Sequence, residues 1–252
     1  MDDNTPPLSD LPLTPLFLWQ GGWLMVMPAI ANQPHQHVAA SLLVGLDQPI
    51  RVTVEGCLRQ QRVVLVPPDV SQSLNSQGPV AVVHLDPDEP AWRALSCLDG
   101  LDEPQQRWCG EQMTALVQTG SEERVRQFLH GLRGLADPLP LDPRIADACS
   151  LMRVGEAMPS MDALAEHANL SASRFRHLFR EQLGVSLKRY QLHLKCQRAL
   201  ALWRSGMNFT DLAVAAGFYD QPHLNRTLRA MFDALPSRYA RSLPVQVLHL
   251  KE

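Results

Sequence analysis

The 252-residue sequence predicts an α+β chain in which an amino-terminal antiparallel β-barrel or sandwich with helices precedes an all-α unit. Three observations predict it. Short apolar runs broken by turn residues fill positions 16–86, longer helical spacing begins at Pro90, and a stretch near Leu164 returns near Leu212. The length suits two domains, and a composition that is 45% hydrophobic can bury a core in each.

The opening segment, MDDNTPPLSD, is acidic and Pro-rich and lacks the basic and apolar regions of a secretory leader. No run approaches the ~18 apolar residues of a membrane span, so the expectation is a cytoplasmic protein without a membrane partner. The five cysteines, Cys57, Cys97, Cys109, Cys149 and Cys196, are odd in number and scattered. That pattern suits reduced structural thiols better than a disulfide framework or a CxxC metal site.

The runs LFLW, WLMVMP, SLLVGL, IRVTV, RVVLVP and VAVVHL are four to six residues long and rich in Val and Leu, and they predict closely spaced antiparallel strands. Between Pro90 and Arg133 the segments EPAWRALSCL, QQRWCGEQMTALVQ and SEERVRQFLHGLRGL predict helices, the last with Ser121 as its N-cap. These helices cover the sheet or form a dimer contact. The punctuated stretch DPLPLDP, Asp137 to Pro143, marks the boundary between domains at 1–139 and 140–252. Charge divides at the same place. Residues 1–140 carry 8 basic and 16 acidic side chains, and residues 141–252 carry 15 and 10, so a polyanion is expected to meet only the second half.

Within that half the repeat aligns at an offset of 48 before a turn and 49 after it. Leu164, Ala165 and Ala168 match Leu212, Ala213 and Ala216, and then Phe175, Phe179, Arg180 and Tyr190 match Leu224, Leu228, Arg229 and Tyr239. Each copy, at about 161–183 and 209–232, reads as helix, turn, helix, with Ser171 and Asp220 as N-caps, Pro222 in the first turn and Gly217 in the second bend. Phe175, Leu178 and Phe179 form the buried face of the first copy's second helix, and Leu224 and Leu228 that of the second's.

The opposite faces supply the candidate DNA-binding residues: Ser173, Arg174, Arg176, His177 and Arg180 in the first copy, and Gln221, His223, Asn225, Arg226 and Arg229 in the second. Arg pairs with guanine N7 and O6 and Asn or Gln with adenine, which is the chemistry of a helix lying in the major groove of double-stranded DNA. A helix from about Leu187 to Arg204 joins the two units. Trp203, Leu200 and Leu202 form its apolar side, Cys196 lies inside, and Tyr190 and Tyr239 are packing residues.

Residues 143–241 resemble the DNA-binding domain of AraC/XylS-type transcription regulators. The first unit carries the resemblance through Leu164, Ala165, Ser171, Phe179, Gly184, Ser186 and Tyr190, and the connector through Lys195, Ala199 and Leu202. The second unit carries it through Gly217, Phe218, Arg226, Pro236 and Tyr239. Leu187 stands where Pro is common, Pro222-His223 replaces a Ser-aromatic pair, and Asp233 replaces a common Gly. The resemblance implies seven helices and an amino-terminal domain, often a cupin-like barrel, that dimerises or binds a small effector. It also implies transcription regulation, with a small-molecule effector, a second copy of the chain and RNA polymerase as candidate partners. No enzyme activity and no cofactor are expected.

The rival reading is a metal-dependent cupin enzyme or metal sensor. It rests on His35 and His37, two residues apart in HQH, because two imidazoles at that spacing on a strand share a face. No carboxylate follows His37 at the required distance, and Gln72 stands where a second cupin signature carries its His, so no metal site is assigned. His84 is read as a satisfied strand residue, and Arg51, Arg59 and Arg62 either as edge charges or as clamps for an anionic ligand.

Overall fold

A computed structural model describes residues 14–155, 157–203, 207–232 and 245–250. Its sheets are built from β1 (Thr14–Trp19), β2 (Gly22–Met27), β3 (Ile30–Ala31), β4 (Ala40–Gly45), β5 (Ile50–Val54), β6 (Cys57–Gln61), β7 (Val63–Val66), β8 (Gln72–Ser76), β9 (Val80–Leu85) and β10 (Val245–His249). A six-stranded sheet runs β10-β1-β2-β9-β4-β7 and faces a four-stranded sheet ordered β3-β8-β5-β6. The first is covered on both sides, which explains the unbroken apolar runs: β2, β4 and β9 are buried at every position.

Strand periodicity then divides each run between two cores. Leu24, Val26, Leu42, Val44, Ala81 and Val83 face α1 (Pro90–Leu95), α2 (Glu103–Thr119) and α3 (Glu122–Arg133), whereas Trp23, Met25, Met27, Leu43, Val80 and Val82 face the space between the sheets. His84 and Ser41 share that inner phase, and the register places Trp23, His84 and Ser41 side by side on three adjacent strands.

Four elements depart from the sequence expectation. Ser121 sits at the N-cap of α3 but makes no side-chain cap bond, while α2 carries a full capping box between Asp102 and Gln105. Strands β6 and β8 lie outside the six apolar runs, the first fully exposed and the second turning Gln72 and Ser76 inward. Strand β10 pairs in parallel with β1, so the second half is not purely helical: its last described strand returns to the first half's sheet.

The helical half comprises α4 (Pro143–Val154), α5 (Met161–His167), α6 (Ala172–Leu183), α7 (Leu187–Leu202), α8 (Phe209–Ala215) and α9 (Gln221–Phe232). All six are capped by side chains: Asp142, Ser160, Ser171, Ser186, Asn208 and Asp220 each accept a backbone N–H of the first turn. Helix α7 ends its described run at Leu202. Arg204, Asp233, Pro236 and Tyr239 lie outside the described residues.

Candidate nucleic-acid interface and interdomain pocket

The two repeated units are alike in backbone as well as in sequence. In each, the bend between helices needs one residue in the left-handed region, supplied by Asn169 (φ 54°) in the first and Gly217 (φ 85°) in the second, 48 positions apart. In each, the following amide reaches back to the same carbonyl: Leu170 N–H donates to Ala165 O at 2.9 Å, and Phe218 N–H to Ala213 O at 2.8 Å. The bends thus orient α6 against α5 and α9 against α8.

Helix α6 buries Phe175, Leu178, Phe179 and Leu183, and α9 buries Leu224, Thr227, Leu228 and Met231. Opposite those faces, Ser173, Arg174, Arg176, His177 and Arg180 are exposed on α6, as are Arg226 and Arg229 on α9. His177 lies 3.9 Å from Glu181 one turn on. The remaining candidates are less free. Asn225 is half-buried; Gln221, also half-buried, accepts a hydrogen bond from Thr210 Oγ1 at 3.1 Å; and His223 stands edge-on to Phe218 with ring centroids 5.3 Å apart. Tyr219, in the bend before α9, is 89% exposed. Sequence periodicity passed over it because a bend belongs to neither helix face.

A cavity of about 160 Å³ lies where the barrel interior opens onto α7, α8 and α9. Leu16, Met25, Met27, Leu43 and Leu74 line it from the barrel, and Leu200, Trp203, Leu212, Leu228 and Phe232 from the helices. Trp23, His84 and His37 form a column of rings along one wall, with centroids 4.0 Å and 4.2 Å apart. Phe232, the last residue of α9, stacks against His37 at 5.7 Å and His84 at 5.8 Å, so α9 ends on this wall.

His37 is held neutral. Its Nδ1 lies 2.9 Å from Ala39 O, and a carbonyl only accepts, so the proton resides on Nδ1; Nε2 then accepts from Gln72 Nε2 at 2.7 Å and lies 3.2 Å from Ser41 Oγ. Burial, followed by the neighbouring His35, brings its pKa down from 6.5 to about 3. Gln72, noted in the sequence for replacing a histidine, is therefore the partner of His37, and both nitrogens of that ring are committed. Among the described residues no group of three or more His, Cys, Asp or Glu is placed to hold a metal ion. His84 is not the satisfied residue its strand context suggested: its Nδ1 is buried without a hydrogen-bond partner, as is Trp23 Nε1. Arg51, Arg59 and Arg62 do not line the cavity, and Arg62 donates to Gly45 O and Leu46 O at the barrel edge.

A buried polar joint locks the two halves together beside the cavity. Asp86 is fully buried; its Oδ1 accepts from His193 Nε2 at 2.7 Å and Gln197 Nε2 at 2.8 Å, and its Oδ2 accepts from Arg153 Nη2 at 2.8 Å. Asp88 holds both terminal nitrogens of Arg153 and accepts from the Tyr190 hydroxyl at 2.7 Å. Tyr190, expected as packing alone, packs on Phe179 and also serves this joint. Burial raises the Asp86 pKa, but His193 and then Arg153 outweigh it and hold the carboxyl below its usual range. Two further ties cross the boundary: Arg93 donates to Gln182 O at the end of α6, and Arg189 pairs with Asp69 at 2.7 Å.

Comparison with known proteins agrees with this architecture. A helix-turn-helix domain family matches residues 164–242. The Arabinose operon regulatory protein of Salmonella typhimurium is 31% identical over 103 residues, covering 40% of this chain and 37% of that protein. The chain thus aligns with little over a third of that curated relative's length. Among solved structures, an apo ToxT variant from Vibrio cholerae superposes with a TM-score of 0.59 at 13% identity, over 87% of this chain and 97% of that one. ToxT bound to an unsaturated fatty acid gives 0.56 at 12%, over 87% and 94%. These two share the fold across both halves. Among the described residues no helix is long and apolar enough to cross a membrane. Residues 164–242 thus carry a helix-turn-helix domain similar to that of the Arabinose operon regulatory protein.

Proposed function

We propose that the chain is a sequence-specific DNA-binding transcription regulator, with residues 140–252 reading double-stranded DNA and residues 1–139 sensing a small-molecule effector. One observation carries the DNA reading. Two capped helices in matching bends, α6 and α9, present cationic faces opposite their buried sides in the half of the chain that carries net positive charge. Arg176, His177, Asn225 and Arg226 are the candidates for base edges, with Ser173, Arg174, Gln221 and His223 beside them; Arg180 and Arg229, a turn further on, are the candidates for phosphates. Tyr219 joins this set as a backbone contact. Effector control is supported by the cavity, whose wall includes the end of α9, so that a bound molecule touches a reading helix directly. The same reading includes a second copy of the chain and RNA polymerase as partners.

Selection of duplexes from a random pool by the full chain tests the assignment. A defined sequence should emerge, and log K should fall against log salt with a slope of about −0.9 per phosphate contact. Recovery of no preferred sequence would overturn it.

A further inference from the structure

We infer that Thr210 fixes the amide of Gln221 with its oxygen turned towards α8, and that Gln221 thereby selects guanine over adenine in the major groove. This rests on the DNA-binding reading above and names the base that one residue of that surface takes.

Gln221 is the first residue of α9 and Thr210 the second of α8. The Thr210 hydroxyl donates to Gln221 Oε1 at 3.1 Å. Thr210 is itself held, since its backbone N–H donates at 2.8 Å to Asn208 Oδ1, the cap of α8. A β-branched side chain on a helix has few rotamers, so its hydroxyl is a well-placed donor. A glutamine left to itself must order its whole side chain on meeting a base, and a partner that orders it beforehand removes that cost from binding.

The fold does not need this bond. At the equivalent positions, 48 and 49 residues earlier, the first unit has Asp162 and Ala172, a pair that cannot make it. Yet the first unit turns through the same bend on the same backbone bond, Leu170 N–H to Ala165 O against Phe218 N–H to Ala213 O. The helix caps correspond as well: Asp220 accepts from His223 N–H, and Ser171 from Arg174 N–H. Thr210 is exposed and Gln221 half-buried, so the bond fills no gap in the core. What it does set is the direction of one amide.

That direction decides which base fits. A glutamine amide free to turn matches adenine, accepting from N6 and donating to N7. With the oxygen committed to Thr210, the group left for a base is the amino group, and among the described residues nothing else bonds to the Gln221 side chain. Guanine offers that amino group two acceptors, O6 and N7. Adenine sets its own N6 amino group against it, donor to donor, and cytosine offers only the N4 donor.

The test uses the full chain and a random pool of duplexes. Selection with wild type and with Gln221→Ala identifies the position that Gln221 reads, where the variant loses its preference. At that position wild type should favour guanine over adenine by about tenfold, within the range of one well-formed base contact. Thr210→Val, which keeps the shape and removes the donor, should bring adenine level with guanine there and leave the rest of the selected sequence unchanged. Thr210→Ser, which keeps a hydroxyl, should keep the guanine preference. A base other than guanine favoured by wild type, uniform weakening by Gln221→Ala, or a guanine preference that survives Thr210→Val would each overturn the inference and leave the DNA reading standing. Weakening of every sequence alike by Thr210→Val would also overturn it, by assigning the bond to the fold. Recovery of no preferred sequence by wild type would remove the DNA reading and this inference together.

Discussion

Arg226 and Arg229 lie one turn apart on the exposed side of α9, and the difference between them is the sharpest residue-level statement the helix makes. Arg226 belongs to the middle of the face, whereas Arg229 lies nearer the end that runs into the barrel wall. Arg226→Ala should cost about 1–3 kcal/mol and relax preference at one base position, while Arg229→Ala should weaken all sequences alike. Binding to a randomised operator set decides it, and uniform loss for both variants would make Arg226 a phosphate anchor only. A second residue-level prediction concerns His37. Its folded pKa, about 3, lies below its unfolded value of 6.5, so the unfolded chain takes up the proton first as pH falls. The stability it contributes is complete above pH 6.5 and declines towards pH 3, by about 2 kcal/mol at pH 5. His35, His84, His193 and Arg189 surround it, and His84 acts in the same direction. Chemical denaturation at pH 7.5 and pH 5 should show the fall in wild type and a smaller one in His37→Gln.

At the scale of elements, the proposed DNA reading makes the joining helix the determinant of operator spacing. Helix α7 has 16 residues, which at 1.5 Å each spans about 24 Å. With the width of the flanking helices added, that span approaches the ~34 Å repeat of the duplex, and on the proposed DNA reading one chain should address two half-sites about 10 bp apart without a palindrome. A 5 bp insertion between protected segments should abolish two-site contact, and a 10 bp insertion should not restore it, as footprinting of one chain on such operators would show. Full recovery at 10 bp would mean that the units are flexibly joined. These helices were legible in the sequence because local rules wrote them: Ser171 and Asp220 at caps, Gly217 in a bend, and apolar residues at helical spacing. The six apolar runs were legible for a related reason, since burial on both faces leaves no polar position to interrupt them. Strand β6 was not, because a fully exposed edge strand carries no apolar signal. Strand β8 hid because its inward positions include Gln72 and Ser76, which bond inside the barrel. Strand β10 hid because its partner, β1, lies at the other end of the chain.

The whole molecule adds what no local pattern could contain, namely that the two halves share their interior. Val38 of the barrel side packs in the helical core, Leu200, Ala201 and Phe232 pack against the barrel core, and the cavity wall joins Trp23, His84 and Phe232 from three distant parts of the chain. Sequence reading gave His84 a local role because the partners that define its surroundings are remote in sequence. The shared interior also makes the Asp86–Arg153 joint the point where docking is most exposed to mutation. Both charges are removed from water, so their attraction only offsets what desolvation costs, and removing one partner leaves the other buried and unpaired. Arg153→Met should therefore destabilise the docked arrangement by about 3–5 kcal/mol, because the carboxylates of Asp86 and Asp88 lose their shared guanidinium. Adding Asp86→Asn and Asp88→Asn should recover part of that loss by removing the stranded charges, the non-additivity expected of groups in direct contact. Hydrogen exchange measured across the β9–α1 connection and α7 reads the docking directly: protection there should fall in Arg153→Met and return in part in the triple variant. Additive losses across the series would mean that the joint is held by packing of the shared cores, with the ion pairs incidental to it.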